Sequence, residues 1–586
     1  MMKRKQTVLG PMGLLGLSIL LVGCGGDSDS DRKNQPDSEQ PVPPEIAEYQ
    51  LNGLVQGLLP GSRLTLKNSD DPSAEPVVVT EDGEWPLQDS LLPGARYSLQ
   101  VAAIESPAGG RQLQACEVVQ GAGTAEGTEV VLPPVQVDCV HHTYFVNSMS
   151  TTYRSELWRT DGTPEGTEVV KSFAATNIDL GLQFLTVLGN RLFLSGGDDF
   201  VGNELWVSDG TDAGTRVVKD MKKGDPDLPP NPYTMSARPQ HLTVVEDWLY
   251  FSAQTDNDGT GIWRTDGTEG LVEKIEVPED APAFGINQRP AGMTVLDDMI
   301  YFTLRDAGWS KGLYRVKANE APQVAEYLFP VASSNMSLNP RQFAKKDNAL
   351  YFVSDMEPEF GPEIYRWRDG DEQPVRLTNL QGGRETDNPD VLTWLGDTLF
   401  FEFRYNQYDH GLYRLDTAAQ APEARRVEFE GMPVVVDYSK ILTTENAVWV
   451  VTKTGTDVAD METLVRVDRE GQVERKLTKP KIEKVAAHGY DTSYSSGDRL
   501  YVLATDERES EIPLWVVSEG TDTPFAVKHS ENAEDPFFRL HDAEYVNHPL
   551  IPMQDGRVLV VTPGSDIWIT DGSIEGSVAL ALSEPE

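Results

Sequence analysis

From Tyr49 to Cys139, apolar and polar residues alternate between breaks of Gly, Pro and Asp. Leu64 and Leu66, Val77 and Val79, and Tyr97, Leu99 and Val101 all keep period two. That spacing turns one face of each segment inward and the other outward, and it predicts half-buried strands. Beyond Cys139 the alternation continues with a longer beat. An apolar-aromatic strand recurs at Tyr144, Phe193, Tyr250, Tyr301, Tyr351, Phe400, Trp449, Tyr501 and Leu559, at intervals of 49 to 58 residues. A second column follows each of these landmarks, in most cases 13 or 14 residues later. It holds Trp158, Trp206, Trp263, Tyr314, Tyr365, Tyr413, Val465, Trp515 and Trp568.

The second column carries its own signature. Glu156-Leu157-Trp158-Arg159-Thr160-Asp161-Gly162-Thr163 with Glu165-Gly166-Thr167 returns as Glu204-Leu205-Trp206-Val207-Ser208-Asp209-Gly210-Thr211 with Ala213-Gly214-Thr215. Shorter copies stand at Ile262-Trp263-Arg264-Thr265-Asp266-Gly267-Thr268 and Ile567-Trp568-Ile569-Thr570-Asp571-Gly572-Ser573, and diluted ones lie between. Asp-Gly supplies the positive φ that tight hairpins need. Around Tyr250 the pattern predicts strands at 241–245, 249–253, 261–265 and 271–277. A unit of about 50 residues with four short strands has the size of a propeller blade. The Trp column is then core, filling the wedge between neighbouring blades: Trp158, Trp206, Trp263, Trp515 and Trp568. The repeats resemble those of bacterial proteins bearing Glu-Leu-Trp-x-x-Asp-Gly-Thr-x-x-Gly-Thr, which are read as propeller-like. The resemblance covers about 440 residues, is strong at four units, and implies an architecture but no single activity. The expected fold class is all-β: a β-propeller of about eight or nine four-stranded blades preceded by a small β-sandwich. The first unit, at Tyr144, has no room for an inner strand of its own. A linear β-solenoid is the structural alternative, although its coils are shorter.

The N-terminus reads as an address. Lys3, Arg4 and Lys5 precede an apolar run from Val8 to Val22 that is too short to span a bilayer comfortably. It ends in Leu21-Val22-Gly23-Cys24, which resembles the bacterial lipobox. The resemblance implies cleavage before Cys24, acylation of its sulfur and, with Gly25 rather than Asp next, residence at the outer membrane by lipid anchor. The organisation expected is a signal peptide over 1–23, a flexible tether over 24–48, a sandwich over 49–140 and the repeats over 141–586. The segments Gly53–Leu58, Leu64–Asn68 and Gly94–Tyr97, with the Asp82-Gly83-Glu84-Trp85 turn, resemble a short β-sandwich module of bacterial surface proteins. In that module the last two strands carry a cysteine pair, which implies a Cys116–Cys139 disulfide here. The module reads as a spacer.

Charge narrows the function. The chain holds 93 acidic and 50 basic residues among 586, a net charge of -43. Nucleic acid and anionic membrane faces are excluded as partners, because binding phosphate needs a basic surface. No zinc-protease, serine-hydrolase, dinucleotide or Walker motif is present. Neither a cofactor nor a metal ion is implied, and no catalytic residue can be named. His141-His142 lack a third ligand at any readable spacing and read as a solvated hinge. Asp256-Asn257-Asp258-Gly259 has the alternating oxygens of a calcium loop without its closing Glu, and it reads as a turn, as does Asp198-Asp199. One column stands out, since the residue after the aromatic is a cation at Arg159, Arg264, Arg315, Arg366, Arg414 and Arg466. It reads either as a ring capturing an anionic ligand or as ion pairs to acids of the next blade. The expected function is a lipid-anchored envelope protein that binds or scaffolds a protein or polysaccharide with a propeller face. The alternative is an extracytoplasmic polysaccharide hydrolase or lyase with its site at the propeller channel.

Overall fold

The computed structural model describes residues 48–586 apart from several connections, the longest being 279–288, 480–493, 504–513 and 528–549, and apart from 582–586 at the end. Cys24 and the tether lie outside the described residues. The described chain is all-β and built from mostly four-stranded sheets, antiparallel except where β1 (Tyr49–Gln56) runs parallel to β8 (Val135–Met149).

The first ten strands are β1 (Tyr49–Gln56), β2 (Arg63–Asn68), β3 (Val77–Val79), β4 (Gly83–Leu91), β5 (Arg96–Glu105), β6 (Gln112–Val118), β7 (Ala122–Thr124), β8 (Val135–Met149), β9 (Arg154–Thr160) and β10 (Glu168–Phe173). One sheet runs β3-β2-β5-β7. The other runs β4-β1-β8-β9-β10, with β6 also paired to β8. Inward residues of both, among them Leu51, Val55, Leu64, Leu66, Leu99 and Val137, form one core, as in a two-layer sandwich. Cys116 and Cys139 are directly opposed on β6 and β8 and are joined by the expected disulfide.

The boundary expected at residue 140 falls inside β8, a single strand of 15 residues. Its N-terminal half pairs with β1 in the sandwich and its C-terminal half pairs with β9 in the first repeat unit. β6 follows it across the boundary as far as Gln112 opposite Thr143, and Leu113 joins a core with Tyr144, Leu157 and Trp206. The sandwich thereby lends the first unit the start of the inner strand that it lacks in its own sequence, up to the bond from the Tyr144 amide to the Arg111 carbonyl. The link is no hinge, and His141 and His142 lie half-buried in the middle of β8. Burial lowers the pKa of both imidazoles, against the opposing pull of Asp555 and Asp161 on His141 and, on His142, of Asp161 and Glu168.

The second unit is β11 (Gln183–Leu188), β12 (Arg191–Asp198), β13 (Gly202–Ser208) and β14 (Arg216–Lys219), hydrogen-bonded in that order. Seven further sheets repeat it, with first strands at Gln240–Val245, Arg289–Leu296, Arg341–Lys346, Asn388–Leu395, Leu442–Thr443, Tyr494–Ser496 and Leu550–Pro552. First strands of successive sheets lie against one another from β11 to the seventh sheet. Each sheet thus has an inner edge, an entry end where its first strand begins, and an opposite end carrying the Asp-Gly turn.

Each apolar core lies between sheets rather than within one, because both faces of every sheet are covered. Leu192, Leu194 and Trp206 pack back onto Tyr144, Val170 and Phe173 of the first sheet, while Phe193, Leu205 and Val207 pack forward onto Leu249, Phe251 and Trp263 of the third. The same alternation links the fourth sheet to the fifth, the sixth to the seventh and the eighth to the ninth. One more cluster joins Leu559, Val561, Ile567 and Ile569 of the ninth sheet to Phe145 of the first, with Trp158 packed against it.

Candidate functional site

The aromatic column faces backward at every described sheet that has a Trp. Trp206 and Trp263 are each 7% exposed, and their indole N–H groups donate to the Gly196 and Ala253 carbonyls at 2.7 and 3.2 Å. Trp206 also meets Phe173 edge-on, with ring centroids 4.9 Å apart. Trp158, Trp515 and Trp568 occupy the equivalent place half-buried.

The arginine column stands directly across from the landmark column. Tyr144 pairs with Arg159, Tyr250 with Arg264, Tyr301 with Arg315, Tyr351 with Arg366, Phe400 with Arg414 and Trp449 with Arg466. This puts all six on third strands, away from the inner edge. Three of the six pair with an acid of their own fourth strand, Glu168 for Arg159, Glu273 for Arg264 at 2.7 Å and Glu326 for Arg315 at 2.6 Å, and of these Arg315 also reaches the expected acid of the next blade. The reason is register, since each pair is directly opposed across the third and fourth strands. Contact with the next sheet goes to its turn, where Arg159 donates to the Gly210 carbonyl and Arg315 pairs with Asp369 at 2.7 Å. Arg366 has valine opposite it on the fourth strand, at Val375, and Arg414 has Arg425. Glu474 stands opposite Arg466.

That turn explains the repeated motif residue by residue. Asp161 Oδ1 accepts from the Thr163 amide and hydroxyl, Thr163 Oγ1 accepts from the Gly166 amide, and Thr160 and Thr167 share a hydroxyl bond of 2.7 Å. The pattern repeats at Asp209–Thr215 and Asp571–Ser577. The turn glycine has a φ near +90° and also lets the preceding sheet approach. A Cβ on Gly210 would stand 2.1 Å from Tyr144 Oη, and one on Gly162 would stand 2.6 Å from Arg557 of the ninth sheet.

The glutamates that open the motif hold the connection into the next sheet. Glu204 is fully buried and accepts from the Met221 and Ala237 amides at 3.1 and 3.2 Å. Burial pushes its carboxyl up to about 9, against the pull of those amides. Glu363 accepts from the Leu380 amide and the Thr378 hydroxyl in the same way, and burial raises its pKa as well.

The entry end carries a feature that none of the sequence columns marked. At β11 and at the first strands of the third, fifth and sixth sheets, one extra residue breaks the pairing two positions before the landmark's partner. The bulged residues are Phe184, His241, Gln342 and Val391, all with φ between 53° and 56°. Positive φ is uncommon outside glycine and costly for a β-branched or bulky side chain. Bulges of this kind re-aim side chains and are common beside functional sites. A faint signal existed: Arg238-Pro239, Arg289-Pro290, Asn339-Pro340 and Asn388-Pro389 each precede an apolar residue and Thr or Ala by the same spacing.

At the third sheet the bulge presents exposed Gln240 and half-buried His241, whose Nδ1 lies 3.2 Å from Ser252 Oγ. Burial holds that imidazole below its usual pKa. At the fifth and sixth sheets it assembles a polar cluster. Arg341 donates to the Asn339 carbonyl at 2.9 Å, to Asp355 at 3.4 Å and to Asn388 Oδ1 at 2.5 Å, so the two sheets are joined there. Asn388 is in turn opposed to Arg404, which is bound through Nε and Nη2 to the fully buried Glu402 at 2.8 and 3.1 Å. At the same end of the second sheet, the β12–β13 hairpin displays Phe200, which is 82% exposed. Asp198 Oδ1 pins that turn through the Phe200 and Val201 amides. Of the sequence Asp256-Asn257-Asp258-Gly259, residues 257 and 258 lie outside the described residues. Among the described residues no group of three or more potential metal ligands comes together.

No known protein family matches the chain, and no curated protein does. Solved structures share a slight likeness. A puromycin-hydrolyzing peptidase of Mycobacterium tuberculosis aligns over 48% of this chain and 45% of its own, at 12% identity and a TM-score of 0.31. The GH74 enzyme of Niastella koreensis aligns over 75% of this chain and 69% of its own, at 10% identity and 0.31. An oligogalacturonate lyase in complex with manganese aligns over 54% and 83%, at 13% identity and 0.31. The chain spans less than half the length of the peptidase. Likenesses this slight transfer no activity to this chain, which stands on its own sheets and its own entry end.

Proposed function

We propose that this chain is a lipid-anchored cell-envelope protein whose nine repeat sheets close into a propeller, and that its entry face holds a protein or polymer partner. The observation that carries the reading is the recurrence of one strained bulge at equivalent places on the first strands of the second, third, fifth and sixth sheets, with polar groups beside it at the entry end of the third, fifth and sixth. Closure is supported by the joint between the ninth and first sheets, which uses parts found at other joints: a backward-facing Trp as at the second and third sheets, a forward-facing landmark strand, and an arginine over the next turn glycine as Arg191 stands over Gly267.

The sandwich lies at the opposite end. Its strands pair with β8 N-terminal to Thr143, beyond the Asp-Gly turn of the first sheet, and Ser106 and Gly109 donate to the carbonyls of Gly189, in the turn after β11, and Val187, near the end of β11. The entry face is thereby left clear of it. Affinity capture from native envelopes tests the reading, comparing the wild type with a Gln240→Ala/Gln342→Ala double variant at two exposed entry positions. A partner recovered with the wild type and lost with the variant supports it. Equal recovery from both would overturn the assignment of the face.

A further inference from the structure

The entry ends of the fifth and sixth sheets hold a mixed polar cluster, and its chemistry points to a kind of partner. Arg341, Asp355, Asn388, Asp390, Glu402 and Arg404 bring two cations and three carboxylates together with one amide, so the site is close to neutral. It has no surplus of cations with which to select a polyanion. The side chains are also held in place: Arg341 is 16% and Asp355 23% exposed, and each is fixed by bonds within the cluster. A guanidinium carries five N–H donors and a carboxylate about four acceptor sites. The bonds of Arg341 to Asn339, Asp355 and Asn388 and those of Asp355 to Asn339 and Arg341 leave capacity on both.

Donors and acceptors fixed side by side suit vicinal hydroxyls, because each hydroxyl both donates and accepts. A protein partner would instead need an apolar anchor at the centre of the contact. The exposed side chains at the cluster, Arg404 within it and Gln342 beside Arg341, are polar. A similar set recurs two sheets away in Gln240, His241 and Ser252, which suits a chain of repeating hydroxyl-rich units better than one small molecule. We infer that the entry end of the fifth and sixth sheets is a subsite for a neutral glycan chain, an inference that rests on the binding role proposed for that face.

Native electrophoresis of the full chain through gels containing a soluble β-glucan, a xylan, a galactomannan or polygalacturonate tests this directly. At least one neutral glycan is expected to retard the wild type. Retardation should fall about tenfold or more in Asn388→Ala and in Arg341→Lys, which keeps the charge but loses the planar fork. Val578→Ser, on the fourth strand of the ninth sheet, should migrate as the wild type. Melting curves establish that the variants are folded, and Arg341→Lys stands alone if Asn388→Ala is not. Retardation by no neutral glycan, retardation by polygalacturonate alone, or unchanged retardation of both variants would each overturn the glycan subsite. If no glycan binds while membrane capture still depends on Gln240 and Gln342, the subsite falls and the binding role of the face stands.

Discussion

Trp206 shows at residue scale why the aromatic column belongs to the core. It lies mid-strand, its N–H is satisfied by the Gly196 carbonyl, and its ring is wedged on Phe173. Trp206→Ala should cost about 3–5 kcal/mol in chemical denaturation. Trp515→Ala, half-buried at the equivalent position, should cost less. Glu204 makes a pH-dependent contribution. Its folded pKa of about 9 lies above its ordinary value near 4.5, so between those limits the native state binds more protons than the unfolded one. Stability from this group is therefore full below about pH 4.5 and is lost as pH rises toward 9. Glu204→Gln should begin less stable at pH 5, because one amide loses its acceptor, and should show a flatter melting profile up to pH 9. The Trp column was legible because burial selects one residue type at a fixed period. The partners of Arg159, Arg264 and Arg315 were not, because they depend on the register between third and fourth strands, which sequence spacing leaves open.

The strand β6 serves two bodies at the scale of an element. It closes the sandwich through the disulfide and covers the start of the first repeat sheet's inner edge. Cys116→Ser should cost about 2–4 kcal/mol by the loop-closure estimate. Because Leu113 sits in the core shared with the second sheet, the loss should extend into the first two repeat sheets, read as faster amide exchange along β8 and β11. Equal exchange there in wild type and variant would show that β6 is held without its staple. The bulges make a different claim. Val391→Gly relieves a left-handed backbone, which offsets about 1 kcal/mol of the chain entropy it adds and of the packing it gives up on the core between the sixth and seventh sheets. Thr393→Gly, in register two residues on, gains no such relief and should cost about 1 kcal/mol more than that offset allows in the same denaturation series. Four-stranded units and Asp-Gly turns were readable because their geometry demands particular residues. The bulges at His241, Gln342 and Val391 left only the faint mark of a Pro two residues earlier, and Phe184 left none, since tertiary packing rather than residue preference imposes the φ. The loan of β6 was hidden for a related reason: it is a pairing across the boundary that periodicity itself suggested.

At the scale of the whole molecule, the joint between the ninth and first sheets decides whether the repeats are a ring or a rod. A chain ended before Leu550 would bare Phe145 and Trp158, which otherwise pack on Leu559 and Ile569. It should melt earlier than the full chain and bind a hydrophobic dye, whereas removing an end unit from an open solenoid would change little. The anchor is tested separately. Cys24→Ala should abolish labelling by a palmitate analogue and release the protein to the soluble fraction, and equal labelling of both would sink the lipoprotein reading.

The ninth-to-first joint also sets an order of events in time. Every other joint links neighbours about 50 residues apart in sequence, whereas this one brings together residues more than 400 apart, such as Phe145 and Leu559. Long-range contacts form late, because the intervening chain must be ordered before they reward it. As the chain emerges from its N-terminus, the sandwich and first sheet can form early, with β6 already on the inner edge. The backward face of the first sheet then stays bare while eight more sheets are made. Its cover among the described residues is the ninth sheet, so the nascent chain carries a sticky surface while the roughly 400 residues between them are made. Any factor that attends its folding has that one face to hold.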